Sequence, residues 1–202
     1  MKSTLCAAIV GITALLITPT IASAQRNPQR IPWDVIISRG DQRFVVLRDF
    51  NFEAVLDQET SLVWEKEPSP DRMSWQEAQV HCTRLVKGGR GGWRLPTIQE
   101  LTSLTVVPPP PAPPSGSEDP LPAGHPFVLV PNESGGLADY WSATSSETTR
   151  ADRPTATGFA WTFGGRDGAI FVEDKAGGRN PDGSFQDERP WCVRFRQGVN
   201  PQ

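Results

Sequence analysis

The stretch "GGWRLPTIQEL", residues 91–101, decides the fold that this sequence predicts. After two glycines, alternation along an extended chain turns Trp93 and Leu95 to one side and Arg94 to the other. Pro96 then ends the extended segment, because proline has no N–H to give to a sheet. The stretch therefore predicts a corner between a strand and a helix, with two large apolar side chains in the core. We interpret it as scaffold rather than as a binding or catalytic motif.

Two capping boxes mark the starts of helices. In a capping box, a Ser or Thr side chain and the Glu three residues later each accept a backbone amide of the first turn. One helix is predicted over 97–104, beginning with Thr97, and another over 74–85, beginning with Ser74. Apolar residues recur at steps of three and four, which gives each helix one buried side. They are Ile98, Leu101 and Leu104 in the later helix, and Trp75, Ala78, Cys82 and Leu85 in the earlier one.

Short segments rich in β-branched and aromatic residues predict strands on both sides of the helices. They lie at 43–50, 52–57, 62–67, 139–144, 159–163, 169–173 and 191–196, with a further short candidate at 33–38. The glycines of "GGRDG" (164–168) suit a hairpin turn. Two helices among many short strands predict an α+β fold.

The first 24 residues have the pattern of a secretory signal peptide. Lys2 gives a positive start, residues 6–21 carry no charge, and "ASA" follows before the expected cut. A membrane anchor is the alternative, but the apolar run is shorter than the roughly 20 residues of a spanning helix and contains Pro19. We expect a secreted or periplasmic protein that begins at Gln25 and has no membrane span after cleavage.

The charge balance argues against one class of partner. The chain has 20 basic and 23 acidic side chains, a net charge of −3, and loses Lys2 with the signal peptide. Nucleic-acid-binding proteins are typically basic, so we expect no nucleic-acid partner. A local basic patch remains compatible with this balance, and its candidate members are Arg150, Arg153, Arg166 and Arg179.

Two cysteines, Cys82 and Cys192, remain once Cys6 leaves with the signal peptide. In an exported protein, two cysteines predict one disulfide. Closing a loop of roughly 100 residues stabilises a fold by about 4–5 kcal/mol in the chain-entropy account. The alternative is a pair of free thiols, one of them reactive.

An ordered set of segments resembles a bacterial family, the Lcl C-terminal domain. The segments are "LDQETSLVWEK", "SWQEAQVHCTRL", "GGWRLPTIQEL", "YWSAT", "AWTFGGRDG" and "WCVRF". The resemblance implies a C-type-lectin-like fold, with two helices on a central antiparallel sheet, long irregular loops, and a disulfide from the first helix to the last strand. We expect this domain at 43–198, after an N-terminal extension at 25–42. A Pro-rich insert at about 108–126 departs from the family pattern.

The resemblance implies an exported adhesion-type module that binds carbohydrate or a surface polymer. The family's adhesin implies sulfated polysaccharides, although the net negative charge of this chain argues against them. Two alternatives are a protein-interaction subunit of an envelope assembly and an enzyme. The catalytic motifs Gly-x-Ser-x-Gly and His-Glu-x-x-His are missing from the sequence, so we assign no catalytic residues. A pair of carboxylates that meet in space stays possible.

The loop at 174–190 is the expected ligand-facing segment. It holds a mixed set of donors and acceptors suited to hydroxyl-rich or ionic ligands, of which we select Asp174, Arg179, Asn180 and Asp182. Trp141 is added as a candidate for an exposed aromatic, although burial in the core is the competing interpretation. Oxygen ligands around "NPDGS" (180–184) suit calcium, but the same letters also describe a plain turn. We expect no other cofactor.

The proline density of the 108–126 insert favours extended polyproline II structure. Such a segment is a solvated spacer or a contact for a protein partner.

Mass spectrometry of the intact protein, recovered from the cell envelope or the medium, tests the predicted export. The mass should correspond to a chain that starts at Gln25. Retention of residues 1–24 would overturn the signal-peptide interpretation.

Overall fold

Seven strands form two antiparallel sheets in the part of the chain that the structure describes. The structure is a computed structural model and describes residues 37–105, 119–132, 135–147, 158–177 and 187–196. The first sheet has the order β1-β2-β3-β7, with β1 Phe44–Val46, β2 Ala54–Asp57, β3 Leu62–Glu65 and β7 Val193–Phe195. The second has the order β4-β5-β6, with β4 Asp139–Ser146, β5 Phe159–Gly164 and β6 Ile170–Asp174.

The strands divide into two sheets where one central sheet was expected. The chain runs β4-β5-β6 as a meander, in which the 165–167 turn joins β5 to β6. The last strand leaves this meander and pairs with β3, matching Val63 to Arg194 and Trp64 to Val193. The α+β class is confirmed, and β7 adds a strand from the end of the described chain to the sheet begun by β1, β2 and β3.

Both predicted helices form, and both begin with the predicted capping box. The earlier helix, α2, spans Trp75–Arg84, and the later one, α3, spans Ile98–Ser103. Ser74 and Thr97 accept amide hydrogen bonds from Glu77 and Glu100, whose carboxylates accept in return. A short helix α1, Gly40–Arg43, precedes β1 and begins before residue 43, the predicted start of the domain.

The corner at Trp93–Pro96 is built as predicted. Trp93 and Leu95 are buried, and Arg94 is partly exposed on the other side. Arg94 and Val193 exchange two backbone hydrogen bonds of 2.9 Å, so the corner pairs with β7. The Arg94 guanidinium also binds both carboxylate oxygens of Glu100, at 2.7 and 2.5 Å. These contacts fix the angle between the corner and α3.

The predicted disulfide is present between Cys82 on α2 and Cys192 immediately before β7. The two Cα atoms lie 5.4 Å apart, although 110 residues separate them along the chain. Both cysteines are fully buried. The bond therefore ties α2 to the last strand of the first sheet.

Alternation divides the residues of the first sheet between two apolar clusters. Val55, Trp64 and Val193 belong to one cluster, together with the apolar side of α3. Val63 and Cys192 belong to the other, to which α2 contributes Ala78 and Cys82 and the corner contributes Trp93 and Leu95. Strands β2 and β3 are therefore buried on both sides, unlike a sheet with one solvated face.

The indole N–H groups of four packed tryptophans have backbone partners. Their acceptors are the carbonyls of Ser142 for Trp75, Arg90 for Trp93, Met73 for Trp141 and Glu65 for Trp191. A buried Trp usually needs such a partner, because an unpaired N–H is costly in the core. These bonds therefore set the position of each ring as well as its burial.

The end of the Pro-rich insert belongs to the core rather than to a spacer. Residues 106–118 lie outside the described residues, but 119–126 pack against the domain. Leu121 is buried in the apolar cluster that includes the buried side of α3, and Phe127 belongs to the same cluster. The peptide nitrogen of Gly40 donates to the carbonyl of Ala123, and a side chain at Gly40 would meet the backbone of His125 at 2.4 Å. The buried side chain of Leu121 therefore makes the described end of the insert part of the packed domain.

None of the helices in the described part of the chain is long and apolar enough to cross a membrane. The strand predicted at 33–38 falls almost wholly outside the described residues.

Truncation of Trp93 tests the scaffold interpretation of the corner. We expect Trp93→Ala to lower the free energy of unfolding by about 3–5 kcal/mol, as is usual for a buried aromatic side chain. Trp93→Phe is the matched control and should lose less, because it keeps a ring and gives up the indole N–H. Urea denaturation measures both. A Trp93→Ala midpoint equal to that of the natural protein would contradict the interpretation.

Candidate functional site

The predicted ligand loop is only partly within the described residues. Asp174 ends β6, where its carboxylate accepts the amide of Ala176 at 2.9 Å and its carbonyl accepts the amide of Gly177. It therefore stabilises a local turn. Arg179, Asn180 and Asp182 lie outside the described residues, as does the suggested calcium segment 180–184. Within the described residues there is no group of three His, Cys, Asp or Glu side chains placed to hold a metal ion.

Trp141 is a core residue, and the suggestion that it faces a ligand is corrected. Its side chain is fully buried in the α2 cluster. Its indole N–H donates to the Met73 carbonyl at 2.8 Å, and its peptide nitrogen donates to the Arg189 carbonyl. Its position on β4 turns the side chain inward, into the same apolar cluster that holds Cys82 and Cys192, so Trp141 offers no surface for stacking.

A different cationic surface, which we call the arginine face, is formed by Arg90 and Arg194. Arg90 closes a tight hairpin, in which Lys87 and Arg90 exchange backbone hydrogen bonds of 3.2 and 2.9 Å. The two central residues, Gly88 and Gly89, both have positive φ, which suits glycine. Gly88 lies so close to Phe50 that a Cβ would meet the Phe50 Cα at 2.3 Å. The hairpin therefore lies directly on Phe50.

Both guanidinium groups lie against the Phe50 ring. The Cζ atoms of Arg90 and Arg194 are 4.9 and 5.5 Å from its centroid, and that of Arg194 is also 5.9 Å from the Trp93 ring. Phe50 itself is 1% exposed, so it forms the floor of the arginine face. A cation within about 6 Å of an aromatic face is attracted by the ring quadrupole. This attraction helps to hold two like charges side by side.

No carboxylate in the described ranges lies within 4.0 Å of either guanidinium. Arg194 donates to the backbone carbonyls of Gly91 and Phe195, which carry no net charge. Nearby cations behave differently, since Lys87 pairs with Glu65 at 3.3 Å and Arg94 pairs with Glu100. Within the described residues, the arginine face therefore carries positive charge that no carboxylate neutralises.

The electrostatics of Arg194 agree with this geometry. Partial burial, with a further contribution from the charge of Arg90, lowers the pKa of the Arg194 guanidinium from its ordinary value. An arginine stays protonated at physiological pH all the same. An anion bound between Arg90 and Arg194 would relieve their repulsion, so the site favours an acidic ligand.

A strained turn borders the arginine face. Asn51 and Phe52 have φ of 53° and 63°, and the Glu53 amide donates to the Phe50 carbonyl at 2.9 Å to close the turn. A left-handed backbone costs an ordinary residue roughly 1–2 kcal/mol. The carboxylate of Glu53 accepts the Gly88 amide at 2.9 Å, which joins this turn to the hairpin of Arg90.

Sequence reasoning missed the arginine face and pointed to other arginines. Arg150, Arg153 and Arg179 lie outside the described residues, and Arg166 lies on the turn between β5 and β6. Two signals were available. Arg90 stands between two glycine pairs, and Arg194 follows Cys192 by two residues, which places it on the same side of the strand as the disulfide.

Comparison with protein-family models gives a match to the Lcl C-terminal domain over residues 53–199. The chain belongs to this family. A search of curated proteins finds no match to the chain. The match to the Lcl C-terminal domain includes Arg90, Arg194 and both cysteines of the disulfide, whereas Phe50 and Phe52 lie just before its first residue.

Glu188 is a buried carboxyl with a strongly shifted pKa. Burial, with a contribution from the Asp139 charge, raises the pKa of Glu188 to about 8. The positive charge of Arg72, whose Nη1 lies 3.6 Å from a Glu188 carboxylate oxygen, opposes this shift. A protonated carboxyl is the state that a general acid needs. Glu188, however, is only 7% exposed, and its backbone pairs with Met73. We interpret it as a structural residue that joins the segment before α2 to the segment before β7.

The pH dependence of stability tests this assignment. The folded-state pKa of about 8 lies above the ordinary value of 4.5, so the folded protein holds the proton more tightly than the unfolded chain. The stabilisation from Glu188 is therefore complete below pH 4.5 and is lost as the pH rises toward 8. Urea denaturation should show this decline in the natural protein and a smaller decline in Glu188→Gln. A constant difference between the two proteins across this window would contradict the shift.

Proposed function

We propose that this protein is an exported module that binds an acidic polysaccharide through the arginine face. The observation that carries the proposal is the pair Arg90 and Arg194, held on one aromatic ring with no carboxylate partner among the described residues. A structural arginine is usually satisfied by an acidic residue, as Arg94 is by Glu100. A pair that the backbone fixes in place, and that has no acidic partner among the described residues, is suited to an acidic ligand.

The chemistry of guanidinium selects the ligand group. Its planar fork binds carboxylate, sulfate or phosphate oxygens with two parallel hydrogen bonds, which an ammonium cannot do. No acceptor in the described residues lies within hydrogen-bond distance of the Arg90 guanidinium or of Arg194 Nη2. These donors support a ligand that carries carboxylate or sulfate groups.

The compartment supports a polysaccharide as the source of those groups. The disulfide Cys82–Cys192 suits an oxidising compartment, which agrees with the expected signal peptide. The family resemblance implies an adhesion-type module outside the cytoplasm, where acidic polysaccharides are abundant and nucleic acids are not the expected partner. The net charge of −3 disfavours broad capture of polyanions, so binding would depend on this local site.

A subunit of an envelope assembly is the second candidate. It is favoured by a shallow groove along α2, where Val80 and Val86 are exposed on either side of Arg84. Exposed apolar side chains of this kind suit a protein partner. We favour polysaccharide binding over this second candidate, because the arginine face combines charge, fixed geometry and available donors in one place.

Binding to alginate and dextran sulfate, with neutral dextran as the control polymer, tests the proposal. Arg90→Gln and Arg194→Gln should each weaken binding about tenfold or more, since a charge-assisted hydrogen bond is worth roughly 1.5–3 kcal/mol. Raising the salt concentration should weaken binding of the natural protein as well. Isothermal titration calorimetry measures each affinity, and a preference for alginate or for dextran sulfate distinguishes carboxylate from sulfate.

Arg166→Gln is the matched control, because it removes the same charge from an exposed turn of the second sheet. It should bind like the natural protein. Equal losses in all three variants would indicate a general charge effect, and unchanged binding in the Arg90 and Arg194 variants would contradict the proposed site.

A further inference from the structure

We propose that Phe52 is a stacking platform for a sugar ring beside the arginine face. It would make the site select polymers built of sugar rings over other polyanions. The inference rests on the proposed function, since it adds a second contact to the same bound polymer.

The backbone at Phe52 is strained. Residues 50–53 form a turn in which both central residues, Asn51 and Phe52, have positive φ. Turns of this kind favour Asn at the first central position and Gly at the second. Asn51 follows this preference, but a phenylalanine stands where glycine would remove the strain. The local backbone therefore does not explain the choice of residue.

Packing does not explain it either. The Phe52 side chain is 55% exposed, and the residue belongs to neither apolar cluster. Phe50, two residues earlier, is by contrast buried as the floor of the arginine face. A bulky ring that is both strained and exposed gains little from the folded state. Such local strain is concentrated at binding sites, where the surrounding structure maintains it.

The position of the turn connects Phe52 to the arginine face. Gly88 touches the backbone of Phe50 and donates its amide to Glu53, so residues on both sides of Phe52 are bound to the hairpin of Arg90. The turn and the hairpin therefore form one surface. A polymer lying on Arg90 and Arg194 has the Phe52 turn at its edge.

The chemistry of the ring indicates the class of ligand. Phenylalanine offers a flat π face with partial negative charge and no hydrogen-bonding group. The C–H groups on one side of a pyranose ring match that face, whereas a linear polyanion without rings has nothing of this shape. The arginines would then bind the acidic groups, and Phe52 would recognise the sugar that carries them.

Two polymers with the same acidic group separate these roles. Dextran sulfate carries sulfates on sugar rings, and poly(vinyl sulfate) carries them on a simple carbon chain. We expect Phe52→Gly to weaken binding to dextran sulfate about fivefold and to leave binding to poly(vinyl sulfate) unchanged. The same variant should melt at an equal or higher temperature, because glycine adopts positive φ without strain. Phe52→Trp should keep the preference for dextran sulfate.

The controls distinguish failure of this inference from failure of the proposed function. Phe171→Ala removes another exposed phenylalanine, on β6, and should change neither affinity. Arg194→Gln should weaken binding to both polymers. If it does so while Phe52→Gly changes nothing, or lowers both affinities equally, the platform is refuted and the proposed function stands. A lower melting temperature for Phe52→Gly would show that the ring has a structural role, and this result would also overturn the platform. Failure of the natural protein to bind either polymer would overturn both proposals.

Discussion

The two backbone hydrogen bonds between Arg94 and Val193 are the constraint on which the rest of the structure depends. They join the corner that leads into α3 to the strand that closes the first sheet. One residue before Val193, Cys192 is bonded to Cys82, so α2 is attached at the same place. Helix α2 and the corner are therefore attached to the last strand at two adjacent residues, Cys192 and Val193. Any residue that follows Val193 inherits a fixed location, and that residue is Arg194.

The arginine face follows from this arrangement rather than from attraction between its members. Arg90 is positioned by a hairpin in which only a glycine at position 88 leaves room for Phe50. Arg194 is positioned by the pairing of β7 with β3. Two like charges brought together in this way repel each other, and the Phe50 ring offsets part of that repulsion. The scaffold holds the charges in place before a ligand arrives, which reduces the ordering that binding requires.

The sequence predicted what depends on neighbours along the chain. Both capping boxes, the burial of Trp93 and the apolar sides of the helices depend on spacings of two to four residues, and the structure confirms them. The disulfide was predictable from the count of cysteines. The local signals at Arg90 and Arg194 did not show that the two arginines meet, because Gly91 and Arg194 are 103 residues apart and are brought together by β7. Trp141 was misplaced as a ligand contact because both sides of β4 carry plausible residues, and the strand register decides which side is buried. Phe52 looks ordinary until its positive φ is seen.

The most direct test of the account is a titration with dextran sulfate oligosaccharide, followed through the NMR signals of the arginine Nε–Hε groups. Each arginine reports separately, so the measurement locates the acidic groups of the ligand without any substitution. The account predicts saturable shifts for Arg90 and Arg194, with the Arg166 signal unmoved. Shifts centred on Arg166, or on arginines elsewhere in the chain while Arg90 and Arg194 stay still, would contradict it.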